Sequence, residues 1–174
     1  MKKLLLFTFL LCSLSGFSQF GLEVGFGSSK AKVSDGNVSV SSDSYSGVIA
    51  GLVYNFSMSE KVKLETGVSF SFFKVDGESS NGWGIPLVAK IYPKSDNGFH
   101  IRAGVGYGAT LEDVDTTIVK KDAFSGGFGL GYDIDDNFTI VAEYSTQLSN
   151  SAGSDLDDIE IKGSGFGVSL QYFF

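Results

Sequence analysis

Alternation is the dominant pattern of this chain: in run after run, apolar side chains hold every second position and small or polar ones the positions between. Successive side chains of a strand point to opposite faces, so the pattern predicts strands with two different surroundings. The last run is the clearest, with Phe166, Val168, Leu170, Tyr172 and Phe174 on one face and Gly165, Gly167, Ser169 and Gln171 on the other. Seven more runs read alike: 20–28, 45–56, 62–73, 83–92, 99–109, 123–134 and 138–148. Each is near the roughly 9–11 residues with which a tilted strand crosses a bilayer. No helical period competes, and no later segment approaches the roughly 18 continuous apolar residues of a membrane-crossing helix.

The spacing between runs alternates too. Short turns are predicted at 57–61, 93–98 and 135–137, and longer polar loops at 29–44, 74–82, 110–122 and 149–162. Short turns on one side and long loops on the other is the outer-membrane pattern, with the short turns in the periplasm. The predicted architecture is therefore all-β: an eight-stranded antiparallel up-and-down transmembrane β-barrel, its even strand count placing both termini on the periplasmic side. Pro86 disturbs the fourth run, because a closed barrel has no edge strand to excuse a missing N–H. A bulge or a locally widened ladder is expected there.

The start of the chain has a different character. Lys2 and Lys3 precede the apolar stretch 4–14, and Gly16-Phe17-Ser18 supplies a small-x-small cleavage site. These are the parts of a secretory signal peptide. The stretch is too short to cross a bilayer as a helix, which needs about 20 residues. Residues 1–18 are thus read as a signal peptide and 19–174 as the barrel. Cys12, the single cysteine, lies inside the leader after Leu11 rather than after a small residue, which argues against lipidation. The mature chain then has no thiol for a disulfide, a metal or nucleophilic catalysis.

Composition sharpens the picture. There are 23 glycines, 16 phenylalanines and 2 prolines in 174 residues, without a collagen period. The aromatic content argues against disorder. Loss of Lys2 and Lys3 with the leader takes the formal charge from −7 to −9, which argues against binding nucleic acid or anionic lipid.

Charge placement is the most informative feature. Within the eight runs, Glu23, Lys63, Glu65, Lys90, His100, Arg102 and Glu143 all fall on the glycine-and-serine face. An Arg or Lys facing lipid at mid-depth costs roughly 2–4 kcal/mol, so the charged face looks into the lumen. An eight-stranded interior is only wide enough for side chains to fill it, and charges buried there must pair or stay hydrated. The expectation is a lumen charge network of three acids against three bases with His100 nearby, all but Glu143 toward the periplasmic half. Glycines such as Gly25, Gly67, Gly104, Gly127, Gly129 and Gly131 would make room for the long side chains.

Aromatic residues gather at the predicted strand ends. Phe56, Phe99, Tyr132, Phe138, Tyr172 and Phe174 mark the periplasmic side, and Tyr45, Phe72, Trp83, Tyr107 and Phe124 the other. Two interfacial girdles have this form.

The alternating close on Phe166, Val168, Leu170, Tyr172 and Phe174 resembles the C-terminal signal read by the barrel-assembly machinery of outer membranes. The hairpin Gly84-Ile85-Pro86-Leu87-Val88-Ala89-Lys90-Ile91-Tyr92-Pro93, followed by Gly98-Phe99-His100-Ile101-Arg102-Ala103-Gly104-Val105-Gly106-Tyr107, is similar to the outer-membrane β-barrel domain family, often labelled "porin family protein". The resemblance implies the barrel, the bacterial outer membrane and its lipid as surroundings, and the assembly machinery as a partner during biogenesis. It carries no catalytic motif, no cofactor and no proof of conduction.

Three functional classes follow. The first is a non-enzymatic barrel with an occluded charged lumen and a structural or loop-mediated interaction role. The second is a narrow porin-like channel for small solutes, although aqueous porins have about 16–18 strands. The third is a membrane enzyme. A deacylase needs a nucleophile with a base in reach, and the single histidine, His100, is predicted inward near a periplasmic turn. The acids Asp155, Asp157, Asp158 and Glu160 read as a solvated loop tip, since their spacing fits no EF-hand loop. The run Gly127-Phe128-Gly129-Leu130-Gly131 lacks the helix a phosphate site requires. No catalytic, cofactor or metal residues are therefore assigned. A secreted soluble barrel, with the apolar face inside around an apolar ligand, is the remaining alternative.

Overall fold

The computed structural model describes residues 18–36, 38–75, 78–94, 98–156 and 158–174. The leader lies outside them, apart from Ser18. The described chain forms nine strands: β1 (Ser18–Ser34), β2 (Ser39–Ser41), β3 (Tyr45–Ser59), β4 (Val62–Val75), β5 (Glu78–Ile91), β6 (Phe99–Thr110), β7 (Asp122–Asp133), β8 (Phe138–Gln147) and β9 (Glu160–Phe173). Each of β1 and β3–β9 pairs antiparallel with the next, and β9 returns to β1, so eight strands close a barrel. The closing seam runs from Gly21↔Phe173 to Ser34↔Glu160. Closure satisfies every wall strand on both edges, the condition for strands to lie in lipid.

The two faces divide as alternation requires. Phe26 is 60% exposed and Phe128 65% on the outer wall, while the inward Val53 and Val141 are 2% and 3% exposed. Leu22, Val24, Leu52, Leu87, Ile101, Val105, Leu130 and Ile140 continue the apolar exterior. A wall of this kind is stable only against an apolar solvent. The soluble barrel with an apolar interior does not hold, because the apolar set is outside.

Both termini and the short turns share one end, called the near end here. The β3–β4 turn is 60–61, with a register shift between Ser57 and Ser59. In the β7–β8 turn, Asp135 Oδ1 accepts from the amides of Asn137 and Phe138 at 2.9 and 2.7 Å. Gly98, at the end of the β5–β6 turn, has φ 67°, and a Cβ there would lie 2.5 Å from the Asp133 carbonyl. Only glycine meets both conditions.

At the far end the strands run past the bounds read from the sequence. Residues 29–34 pair with 165–160, and Ser71 to Lys74 pair with Gly82 to Ser79, reaching into segments where loops are expected. β2, also unexpected, folds back on β1 from Lys32↔Ser41 to Ser34↔Ser39. Beyond the lipid both faces meet water, so the ladder continues without the apolar face that marks a strand in sequence.

At Pro86 the ladder widens and does not bulge. The β4–β5 register is unshifted on either side, but pairing lapses between Thr66↔Leu87 and Ser69↔Gly84. Pro86 keeps its pairing to Gly106 on β6. Thr66 Oγ1, on the outer face, donates to the Pro86 carbonyl at 2.7 Å, so that acceptor is satisfied despite the lapse.

Candidate functional site

Inward positions of neighbouring strands converge in the near half of the lumen. Glu65 on β4 lies between Lys90 on β5 and Arg102 on β6: its Oε2 is 2.8 Å from Lys90 Nζ and its Oε1 2.7 Å from Arg102 Nη2. Arg102 Nη1 reaches Glu65 Oε2 at 3.4 Å, so the guanidinium engages both oxygens. Its Nε donates to Glu143 Oε2 at 3.2 Å. Glu65, Lys90 and Arg102 are all buried, at 1–3% exposure. Glu143 thus joins the cluster rather than standing apart toward the far half, because the inward position of β7 between it and Arg102 is Gly129.

Further inward groups complete the layer. Gln171 Nε2 donates to Glu65 Oε1 at 3.2 Å and lies 3.5 Å from Glu23 Oε1, and Ser169 Oγ donates to Glu23 Oε1 at 2.5 Å. Lys90 Nζ also donates to Asn55 Oδ1 at 3.3 Å and lies 5.1 Å from the Phe173 ring centroid. Seven barrel strands supply side chains to this layer, and β7 supplies glycines. A Cβ on Gly129 would sit 2.4 Å from the Ala142 carbonyl, and one on Gly131 2.1 Å from His100 Nε2. The glycine runs of β7 are the space into which the charged side chains fit.

His100 lies apart from the carboxylate cluster. Its Nδ1 is 3.2 Å from the Gly98 carbonyl and 3.6 Å from Asp133 Oδ1, and its ring is 4.8 Å from that of Tyr92. Tyr92 Oη and Thr139 Oγ1 donate to Asp133 at 2.9 and 2.7 Å. Lys63 forms no ion pair within the cluster; its Nζ stands 5.1 Å over the Tyr92 ring. The three-against-three arrangement therefore resolves into two bases on Glu65, one of them shared with Glu143, with Glu23 held by neutral donors. His100 Nε2 and Gln171 Oε1 are buried with no hydrogen-bond partner among the described residues.

Sequence reading set Ser169 and Gln171 on the inward face without joining them to the charge network, and did not single out Asn55, Tyr92, Asp133 or Thr139. All lie at inward positions by alternation, so the signal was present. A neutral amide or hydroxyl on that face does not stand out as a charge does, and Asp133, though charged, stands at the end of its run beside the turn.

Aromatic rows flank the wall. Trp83, Tyr107 and Phe124 contact in sequence across β5, β6 and β7 at 6.0 and 5.2 Å. Phe138, Tyr172, Phe174 and Phe20 do so at the near end at 4.9, 5.1 and 6.0 Å.

A cavity of about 320 Å³ opens at the near end, lined by Lys63, Lys90, Tyr92 and Asp133 among others. Another of about 510 Å³ opens at the far end, with Ser29, Ser71, Phe73, Ser125, Ser145 and Gln147 on its wall. Two loops close over part of the far mouth. Val119 bridges Ala152, Lys120 N donates to the Ser151 carbonyl at 2.8 Å and Gly153 N to the Ile118 carbonyl at 2.8 Å. Gln147 Nε2 donates to Ser151 Oγ, and its Oε1 accepts from Gly163 N at 2.7 Å. Of the acidic loop residues, Asp157 lies outside the described residues; Glu160 belongs to β9 and pairs with Lys162 at 2.5 Å. Among the described residues no three His, Cys, Asp or Glu side chains form a metal-binding group.

The protein is thus a closed eight-stranded barrel with a polar interior and an apolar, aromatic-flanked wall. The model of the outer membrane protein β-barrel domain family matches residues 4–174. The chain belongs to this family. Its place is the bacterial outer membrane, with lipid around the apolar wall, and its near end is the periplasmic one by the side of its short turns. Ail, the attachment invasion locus protein of Yersinia pestis, has a similar fold, with TM-score 0.55 and 13% identity over 91% of this chain and 99% of that one. Neisserial surface protein A (NspA) has TM-score 0.50 and 10% identity over 88% and 97%. At such identities the likeness is one of fold alone. No curated protein matches the chain.

Proposed function

We propose that this family member is a non-enzymatic barrel whose lumen is occluded by its charge network and whose extracellular strands and loops make contact with partners. The observation that carries the reading is the buried Glu65–Lys90–Arg102 cluster, drawn tight by Gln171 and Glu143 across the width of the lumen. Breaking a buried ion pair by removing one partner costs roughly 3–5 kcal/mol, so an open state that separates these groups is strongly disfavoured. Contact with partners falls to the far end, where β1 and β9 carry their ladder beyond the wall and the loops 111–121 and 148–159 hold each other.

Two parts of the life history belong to the same reading. Residues 1–18 direct export and are removed, leaving Gln19 to begin β1. The barrel-assembly machinery reads Phe166, Val168, Leu170, Tyr172 and Phe174 as the strand that closes on β1.

The narrow channel is the second reading, favoured by the cavities on both sides of the cluster. Planar-bilayer recording of the refolded barrel divides the two. The occluded barrel inserts without stable current steps; steps that scale with salt concentration overturn it in favour of the channel.

A further inference from the structure

The far half of the lumen is built unlike the near half. Below the loop mouth, Ser29, Ser71, Ser125 and Ser145 line both the 510 Å³ cavity and a deeper one of about 300 Å³ beneath it. Ser69 and Ser169 join them in the deeper chamber. The hydroxyls of Ser29, Ser71 and Ser145 have no protein hydrogen-bond partner among the described residues, and those of Ser69 and Ser125 make only long contacts of 3.5 Å to the Gly84 and Gly106 carbonyls. Between the rim residues Glu112, Lys120, Lys121 and Asp122 and the floor acids Glu23 and Glu143, no lining residue is charged.

One side of the chamber is apolar. Ile49 and Phe73 cover Gly27, whose added Cβ would meet Ile49 Cδ1 at 3.1 Å and Phe73 Cε1 at 3.5 Å. Val141 and Pro86 extend that surface into the deeper chamber. The floor acids are occupied, Glu143 by Arg102 and Glu23 by Ser169 and Gln171.

We propose that this chamber is a binding site for a small uncharged polyhydroxylated solute, of the size of a mono- or disaccharide. Its volume falls within the roughly 300–1,000 Å³ of small-molecule sites. Serine hydroxyls both donate and accept and rotate freely, which suits a ligand whose own groups are hydroxyls. The Ile49–Phe73 surface takes the C–H face of a sugar ring. A charged solute would leave its hydration with no counter-charge on the wall. That the chamber is blind rests on the occluded-lumen reading; that it binds does not.

The test is an NMR titration of the isotopically labelled barrel, refolded in a zwitterionic detergent without a sugar headgroup, with glucose and maltose. Saturable shifts are expected at the amides of Ser71, Ser125 and Ser145. Ser71→Ala with Ser145→Ala removes two hydrogen-bonding groups and weakens binding roughly tenfold, while the heat-modifiable band on a gel shows the barrel still folded. Glucuronate and glucosamine are expected to bind at least as weakly as that variant binds glucose. Absence of saturable shifts, or shifts confined to the loop tips, overturns the proposal. Tighter binding of glucosamine or glucuronate than of glucose overturns the uncharged class. Entry of the bound sugar into barrel-containing liposomes overturns the occluded lumen, whereas failed binding without entry overturns the chamber alone.

Discussion

The two halves of the lumen lie on the same strands, obey the same alternation and are filled in opposite ways. In the periplasmic half, Glu65, Lys90, Arg102, His100 and Gln171 reach across the barrel and leave almost no exposed surface. In the extracellular half the inward positions of the same strands carry Ser71, Gly82, Gly108, Ser145 and Gly165, which stop short of the centre and leave a cavity. Barrel width is common to both, so side-chain length decides how far each half is filled. Length carries a second consequence. Long inward side chains need glycine beside them, and β7 supplies Gly129 and Gly131 where Arg102 and His100 cross. Serines need no such space, and in the extracellular half the apolar Ile49 and Phe73 instead lie over Gly27.

The largest effect expected from breaking this contrast is on Glu65. Replacement by leucine strands Lys90 and leaves Arg102 with Glu143 alone, and a loss of roughly 3–5 kcal/mol is expected in urea unfolding of the barrel in lipid vesicles. Ser71→Ala, in the other half of the same strand, should stay within about 0.5 kcal/mol. Equal losses at the two positions would show that the halves are not energetically distinct.

Glycine accommodation comes next in size. Gly131→Ala pushes a methyl against the His100 ring and is expected to cost about 1–3 kcal/mol. His100→Ala in the same chain should recover most of that loss, a coupling that a double-mutant cycle reads directly. Independent, additive losses would mean that Gly131 serves the backbone rather than the histidine.

A smaller, local effect is expected at the extracellular mouth. A Cβ on Gly153 would lie 2.1 Å from the Thr117 carbonyl, so Gly153→Ala separates the loops that Val119 and Ala152 hold together. Trypsin should then cut at Lys120 and Lys121 faster, with the barrel's urea midpoint unchanged.

The smallest effect is that of pH on the same loop. The Thr117 hydroxyl and amide, both donating to Asp115 Oδ1, hold this exposed carboxyl below its ordinary value. A lowered value means that the turn's support is complete above the ordinary carboxylate range and is lost as pH falls through the lowered one. Amide exchange at Thr117 should therefore show less protection in acid, after correction for intrinsic rates, and Asp115→Asn should remove most of that pH dependence.

What the sequence determined by itself is the division of faces. Lipid penalises charge so strongly that Lys63, Lys90 and Arg102 could only occupy the inward parity, and the apolar positions from Leu22 to Tyr172 the outward one. Strand count, the end shared by the termini and the aromatic rows follow from the same constraint. Where it ceased, legibility ceased: the ladder of 29–34 with 160–165 and the hairpin strand β2 stand beyond the lipid, where no face need be apolar. Parity also says nothing of height. Tertiary register alone placed Glu143 on Arg102, left Lys63 on the Tyr92 ring and brought Gln171 under Glu65. Those pairings depend on how far each strand slides past its neighbours as the sheet closes, a quantity set by all eight seams together and written in no single strand.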